Sequence, residues 1–200
     1  MQLIMSPPSP FVRKVRAMII ETGQQDVVEE VNVSTTPLAS DPVAVSANPL
    51  GKIPALVRND GPAIYDSRVI TRFLNERVNG PFYPHARIWE VLTLEATGDA
   101  IMDAAVGMVY EARFKGAEGA SGDWIEAQWA KITRTLAAIN TRWMSHLNGP
   151  LDMSHIAVGC ALGYLDFRHP ERDWRGANDT LATWYTTFAQ RDSMKLTAPE

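Results

Sequence analysis

In the first third of the chain, the spacing of apolar positions switches between the pattern typical of β-strands and the pattern typical of α-helices. Residues 1–5 are mostly apolar and end at a Ser/Pro-rich loop, which predicts a buried first strand. Residues 11–22 carry apolar side chains every three or four positions, which predicts an amphipathic helix. Residues 26–33 alternate and are rich in valine, which predicts a second strand. The polar face of the helix, which we expect to be solvated, carries Arg13, Lys14 and Arg16.

A Pro/Gly-rich stretch at residues 48–57 follows. A proline cannot donate to a sheet ladder, so Pro54 belongs at the start of a strand. X-Pro bonds adopt the cis form at low cost, which makes Ile53–Pro54 a candidate. Asp60–Gly61 then predicts a tight turn into a strand at residues 63–65 and a helix over about 67–78. This order of strands and helices predicts a thioredoxin-like α/β domain.

The second part of the chain is predicted to be helical almost throughout. A Gly/Pro-rich linker at 79–86 separates a first domain, residues 1–78, from an all-helical domain, residues 87–200. Periodic apolar spacing predicts four helices, at residues 86–114, 123–147, 153–167 and 177–191. The third is apolar nearly all round, so we expect it at the buried centre of a bundle.

Composition narrows the class of protein. The chain has 200 residues, 46% hydrophobic and 21% charged, as in a globular protein. Its net charge of −4 gives no sign of nucleic-acid binding, and no apolar run is long enough to cross a membrane. The single cysteine, Cys160, fits a reducing cytoplasm, and residues 1–5 lack the features of a signal peptide. We expect no metal, because metal-ligand spacing is not evident among His85, His146, His155 and His169.

Two segments carry a family resemblance. The run Pro49-Leu50-Gly51-Lys52-Ile53-Pro54-Ala55-Leu56, followed by Asp66-Ser67 at a helix start, resembles the glutathione-binding half of cytosolic glutathione transferases. The run from Ile156 to Asp166 resembles the central buried helix of the same family. The family often begins that helix with Ser or Thr and has Asp three residues on, whereas this chain has Asp152 and His155. The resemblance implies a thioredoxin-like domain followed by an all-α bundle, and a homodimer.

The resemblance places the thiol-activating residue between the first strand and the first helix, where this chain has Ser9. A free thiol has a pKa of about 8.5. Lowering it to about 6.5 needs roughly 2.7 kcal/mol. A hydrogen bond to a charged acceptor supplies about 1.5–3 kcal/mol, and a helix N-terminus adds about 0.3–1 kcal/mol. Ser9 is therefore expected to donate to the glutathione sulfur, with Ser6 as the competing hydroxyl.

The resemblance also implies the other glutathione contacts. The backbone of Ile53, next to Pro54, would pair with the cysteine of glutathione as an added strand. Asp66 suits the γ-glutamyl ammonium, Ser67 suits its carboxylate, and Lys52 is a candidate for the glycine carboxylate. A small hydrophobic electrophile would lie against Phe11, Met102, Val106 and Tyr110.

Simpler interpretations remain open. Ser9, Asp66 and Ser67 are also ordinary helix-capping residues, and a Met or aromatic stripe on a helix is more often core. Conjugation to glutathione is the leading function. A glutathione-dependent isomerase or dehalogenase would use the same glutathione site. A non-enzymatic binding or regulatory protein would keep only the fold.

Overall fold

The computed structural model describes residues 1–199, except the side chains of residues 117 and 118. These residues form two compact units. The first comprises Met1–Ile88 together with the segment that begins at Asp192, and the second comprises Trp89–Arg191.

The first unit is built on a three-stranded sheet of order β2-β1-β3. Its strands are β1 (Gln2–Met5), β2 (Glu29–Asn32) and β3 (Ala55–Val57). Strand β1 runs parallel to β2 and antiparallel to β3, with Ile4 opposite Ala55. The predicted strand at residues 63–65 is wrong: only Ile64 pairs there, with Leu56. Pro62 lacks an N–H, and Asp66 already caps the next helix, so little chain is left to pair.

Four helices accompany this sheet: α1 (Pro10–Glu21), α2 (Pro42–Ala47), α3 (Ser67–Arg77) and α9 (Asp192–Lys195). Proline occupies the first position of α1 and α2, where its missing N–H costs no helical hydrogen bond. Helix α1 packs against both α3 and α9. The order of strands and helices gives the thioredoxin-like arrangement that the sequence predicts.

The basic face of α1 is not solvated as predicted. Arg13 is 5% exposed and Lys14 is fully buried. The Arg13 guanidinium donates to the Met194 carbonyl at 2.9 Å and to the Thr197 hydroxyl at 3.4 Å. The C-terminal segment therefore covers the part of α1 that periodicity alone assigns to solvent.

The second unit contains five helices in its described part: α4 (Ile88–Gly119), α5 (Gly122–Arg142), α6 (Met144–Leu147), α7 (Met153–Arg168) and α8 (Asp179–Phe188). Every residue of α7 from Met153 to Leu165 is buried, which confirms its predicted central position. Gly116, with φ of 68°, interrupts α4 near its end. No helix in the described part of the chain is long and apolar enough to cross a membrane.

Helix α7 begins with a reciprocal cap that uses a histidine. The Asp152 carboxylate accepts from the backbone N–H of Ser154 at 3.1 Å. The Asp152 N–H in turn donates to Nδ1 of His155 at 3.2 Å. Burial raises the pKa of Asp152, but hydrogen bonds from His155 and Ser154 outweigh it, so the pKa lies below its usual value. His155 thus takes the place that the family usually gives to aspartate.

We expect Asp152→Ala to lower the free energy of unfolding by about 2–4 kcal/mol, because it removes a cap and leaves buried donors unsatisfied. Ser121 is a matched control, since it caps α5 at an exposed site by accepting from Trp124 N–H at 3.3 Å. Ser121→Ala should cost only about 0.5–1 kcal/mol. Urea unfolding measures both, and equal losses would contradict a special role for the α7 cap.

Candidate active site

Strand pairing gathers three predicted motifs at one end of the small sheet. Because β1 and β3 are antiparallel, the end of β1 lies beside the start of β3, and Ile53–Pro54 directly precede that start. Ile64 pairs antiparallel with Leu56, so the chain after Ile64 runs toward the same end. The same end of the sheet is therefore reached by the loop after β1, the turn before β3 and the chain after Ile64. These segments carry Ser9, Ile53–Pro54 and Asp66, respectively.

Ser9 is the N-cap of α1. Its hydroxyl oxygen accepts from the Val12 N–H at 3.3 Å, and its carbonyl accepts from the Arg13 N–H at 3.0 Å. A serine hydroxyl both donates and accepts, so this cap leaves the hydroxyl proton available for a further acceptor. Pro10 has no N–H, which leaves the Phe11 N–H as the first-turn donor that α1 does not use. Ser6 and Ser9 are both half-buried, but Ser9 alone caps the helix.

The turn before β3 is fixed by side-chain hydrogen bonds. Asn48 donates from its amide to the Lys52 carbonyl at 3.0 Å, and its Oδ1 accepts from the Leu50 N–H at 3.1 Å. Gly51 has φ of 64°, and an added Cβ there would lie 2.6 Å from the Ser40 hydroxyl oxygen. The Ile53–Pro54 bond is cis, as the sequence predicts. Both local hydrogen bonds and a required glycine therefore position the residues that enter β3.

Asp66 caps α3 and is ionised. Its Oδ1 accepts from the Arg68 N–H at 3.0 Å, and its Oδ2 lies 3.0 Å from the Arg68 guanidinium. Partial burial raises the pKa of Asp66, but the hydrogen bonds and charge of Arg68, with a smaller contribution from Lys14, bring it below its usual value. Ser67, the first residue of α3, is 3% exposed. The α3 N-terminus thus presents a carboxylate beside the Ser67 N–H, since the N–H groups of Arg68 and Val69 already donate to Asp66.

The remaining predicted contacts are placed as follows. Lys52 is exposed, and Phe11 is half-buried in the first unit. In the second unit Val106 and Tyr110 are half-buried. Met102 is fully buried and offers no surface to a ligand in this conformation. Tyr110 stacks on Phe114 with ring centroids 5.3 Å apart, so an aromatic pair does lie along α4.

The sequence analysis missed two features of the second unit. One is a cavity of about 540 Å³ whose charged lining includes Arg113, Arg168 and Arg172. The arginines near the ends of α4 and α7 could have indicated this cavity from the sequence. The other is a cluster of side chains at the start of α7, formed by His146, Asp152 and His155, whose ligand atoms lie within 4.8 Å of one another. Among the described residues, these three side chains form the only group of histidine, cysteine or acidic residues whose ligand atoms are close enough to hold a metal ion.

Comparisons with known proteins agree with this architecture. Models of the glutathione S-transferase N-terminal and C-terminal domains match residues 8–77 and 122–187. A glutathione transferase family member from Pseudomonas fluorescens Pf-5, solved with bound glutathione, is 42% identical with a TM-score of 0.96, over 100% of this chain and 98% of that one. A structure from the same species with bound S-(propanoic acid)-glutathione is 40% identical with a TM-score of 0.92, over 100% of both chains.

A curated relative has no assigned activity. The uncharacterized GST-like protein YibF of Escherichia coli (strain K12) is 29% identical over 204 residues, covering 100% of this chain and 98% of YibF. The thioredoxin-like unit matches the N-terminal domain model and the helical unit matches the C-terminal one, and this combination defines the class of protein. The chain belongs to the glutathione S-transferase family.

We expect Gly51→Ala to disturb the turn before β3 more than its backbone strain alone predicts. Gly23 is a matched control, because it has the same φ of 64° but no atom within 4 Å of an added Cβ. Gly23→Ala should cost about 1 kcal/mol in unfolding free energy from strain, and Gly51→Ala more because Ser40 must move. Urea unfolding compares the two. Equal losses would show that the contact with Ser40 is unimportant.

Proposed function

We propose that this protein is a glutathione transferase that binds glutathione in its first unit and activates the thiol for attack on a small electrophile. The observation that carries the proposal is the convergence of Ser9, Ile53–Pro54 and Asp66 at one end of the sheet. The relatives from Pseudomonas fluorescens Pf-5, which bind glutathione and S-(propanoic acid)-glutathione, support it.

Ser9 is the thiol activator in this proposal. Its oxygen accepts from the Val12 N–H, so the hydroxyl proton is not used by the cap and is left to donate elsewhere. Donation of that proton to the glutathione sulfur stabilises the thiolate, and the Phe11 N–H and the α1 dipole add to it. Ser9 stays a donor and forms no covalent bond.

The rest of glutathione is held by backbone and charge. The Ile53 N–H and C=O pair with the cysteine residue of glutathione, as in strand addition to a sheet edge. The Asp66 carboxylate binds the γ-glutamyl ammonium, and the Ser67 hydroxyl and N–H bind the γ-glutamyl carboxylate. Lys52, which is exposed, approaches the glycine carboxylate.

The electrophile is small and hydrophobic; Phe11 is the half-buried candidate contact in the first unit, and Val106 and Tyr110 are the half-buried candidates in the second. The protein acts as a homodimer in the cytoplasm.

An isomerase or dehalogenase would use the same glutathione site, so product analysis separates these reactions. A non-enzymatic relative need not keep the Asp66–Ser67 pair at the α3 N-terminus, and its presence favours the enzyme.

We expect Ser9→Ala to bind glutathione but to lose the thiolate absorbance of the bound tripeptide. Its kcat/KM should fall roughly 10- to 150-fold, the equivalent of one hydrogen bond to a charged sulfur. Ser6→Ala is the control and should keep both activity and thiolate. An unchanged thiolate signal in Ser9→Ala, or its loss in Ser6→Ala, would assign the role to another group.

We expect Asp66→Asn to weaken glutathione binding roughly tenfold through loss of a charged hydrogen bond. Because the pKa of Asp66 is below its usual value, this contribution is complete at neutral pH and is lost only as the pH falls through that lowered pKa. The ratio of wild-type to variant affinity should therefore stay constant from pH 7 to about pH 5.

Calorimetric titration measures these affinities. Asp41→Asn is the control, since Asp41 also caps a helix of the first unit by accepting from the Val43 N–H at 2.8 Å. It should leave the affinity unchanged. Equal weakening by both variants would indicate a general effect on the unit, and no weakening by Asp66→Asn would remove Asp66 from the site.

A further inference from the structure

Two histidines and one aspartate meet where α6 leads into α7. Nε2 of His146 lies 3.0 Å from Oδ2 of Asp152, and Nδ1 of His155 lies 2.9 Å from Oδ1 of the same carboxylate. Asp152 is fully buried, His155 is 3% exposed and the His146 side chain is 11% exposed. The Ser154 hydroxyl is also within reach, 3.0 Å from His146 Nε2.

Nδ1 of His155 faces incompatible neighbours when the cluster holds no cation. It lies 3.2 Å from the Asp152 N–H, which is a donor, and 2.9 Å from Asp152 Oδ1, which is an acceptor. A neutral ring suits only one of these two contacts: a proton on Nδ1 bonds Oδ1 and cannot accept from the N–H, whereas a proton on Nε2 leaves a lone pair that faces the carboxylate. Nε2 itself is buried and has no hydrogen-bond partner among the described residues. A cation bound by the Nδ1 lone pair and by Oδ1 makes the contact between these two atoms favourable.

We propose that His146, Asp152 and His155 form a binding site for a divalent transition-metal ion of the zinc type. Two imidazole nitrogens and one carboxylate oxygen are a donor set that zinc and its neighbours bind. Tetrahedral bonds of about 2.0–2.1 Å place ligand atoms roughly 3.3 Å apart. The three ligand atoms here already lie within 4.8 Å of one another, so small side-chain movements complete the site.

Aromatic neighbours hold both imidazoles in place. The His146 ring makes an edge contact with Trp143, with centroids 5.8 Å apart. The His155 ring lies 6.3 Å from Trp184 and 6.5 Å from Phe188. Rings that are packed in this way lose little freedom on binding, which favours a metal site. The partly exposed His146 side gives the ion and a fourth ligand, water, access from solvent.

A bound ion would join α6 to the first turn of the central helix. Asp152 and His155 form the reciprocal cap of α7, and His146 belongs to α6; the ion takes the Nδ1 lone pair that the Asp152 N–H uses in the cap. The ion binds this folded arrangement and not the unfolded chain, so it stabilises the second unit. This role is independent of the proposed glutathione chemistry and would persist in a variant without Ser9.

Cobalt titration of the full-length, chelator-treated protein without a polyhistidine tag tests the site. Co²⁺ bound by nitrogen and oxygen ligands has visible absorption bands, and added Zn²⁺ should displace it. We expect one equivalent to bind and the melting temperature to rise with metal concentration. His146→Gln, which keeps a polar side chain but removes an imidazole, should weaken binding at least about tenfold. His85→Gln is the matched control, because His85 is exposed and outside the cluster, and should bind as the wild type does.

The proposal is overturned if the wild-type protein binds no Co²⁺ or Zn²⁺ at micromolar concentration. It is equally overturned if His146→Gln binds as tightly as the wild type. Should His146→Gln fail to fold, the imidazole resonances of the wild-type protein decide the question. Those of His146 and His155 must shift on Zn²⁺ addition while those of His85 and His169 stay unchanged, and any other pattern rejects the site.

Discussion

The antiparallel pairing of β1 with β3 is the constraint on which the candidate active site depends. It sets the end of β1 beside the start of β3, and so brings the chain before α1 next to the Ile53–Pro54 turn. The single bridge between Leu56 and Ile64 then directs Asp66 to the same end. Each polar group is also fixed locally, because Ser9 and Asp66 are helix caps. In the proposed site these two caps would also face glutathione, Ser9 through its remaining hydroxyl proton and Asp66 through a carboxylate whose second oxygen pairs with Arg68.

Features encoded by neighbouring residues could be predicted from the sequence. The cis bond before Pro54, the cap at Asp66, the extent of α3 and the buried α7 all depend on short-range signals of turn, cap and periodicity. Local patterns identify Ser9 and Asp66 only as helix caps. The resemblance to the family is what suggested that they also contact glutathione. The two domain models and the relatives then established the family independently.

Features that depend on distant segments could not be predicted. Arg13 and Lys14 follow the polar period of α1, yet Arg13 is held by Met194 and Thr197, more than 180 residues away. Residues 63–65 have strand-like composition, but Pro62 and the α3 cap leave a single bridge. His146 and His155 have no recognisable metal-ligand spacing, because the turn between α6 and α7, and not a single helix face, brings them to Asp152. Each case is decided by tertiary packing.

The most direct test of the account is the pKa of glutathione's thiol in its complex with this protein. Thiolate absorbance of the bound tripeptide, followed across a pH titration of the wild-type complex, measures it without any substitution. Hydrogen bonding by Ser9 at the start of α1 predicts a pKa about two units below the free value of about 8.5. A bound thiol that still titrates near 8.5 would contradict thiol activation at this site and leave only glutathione binding.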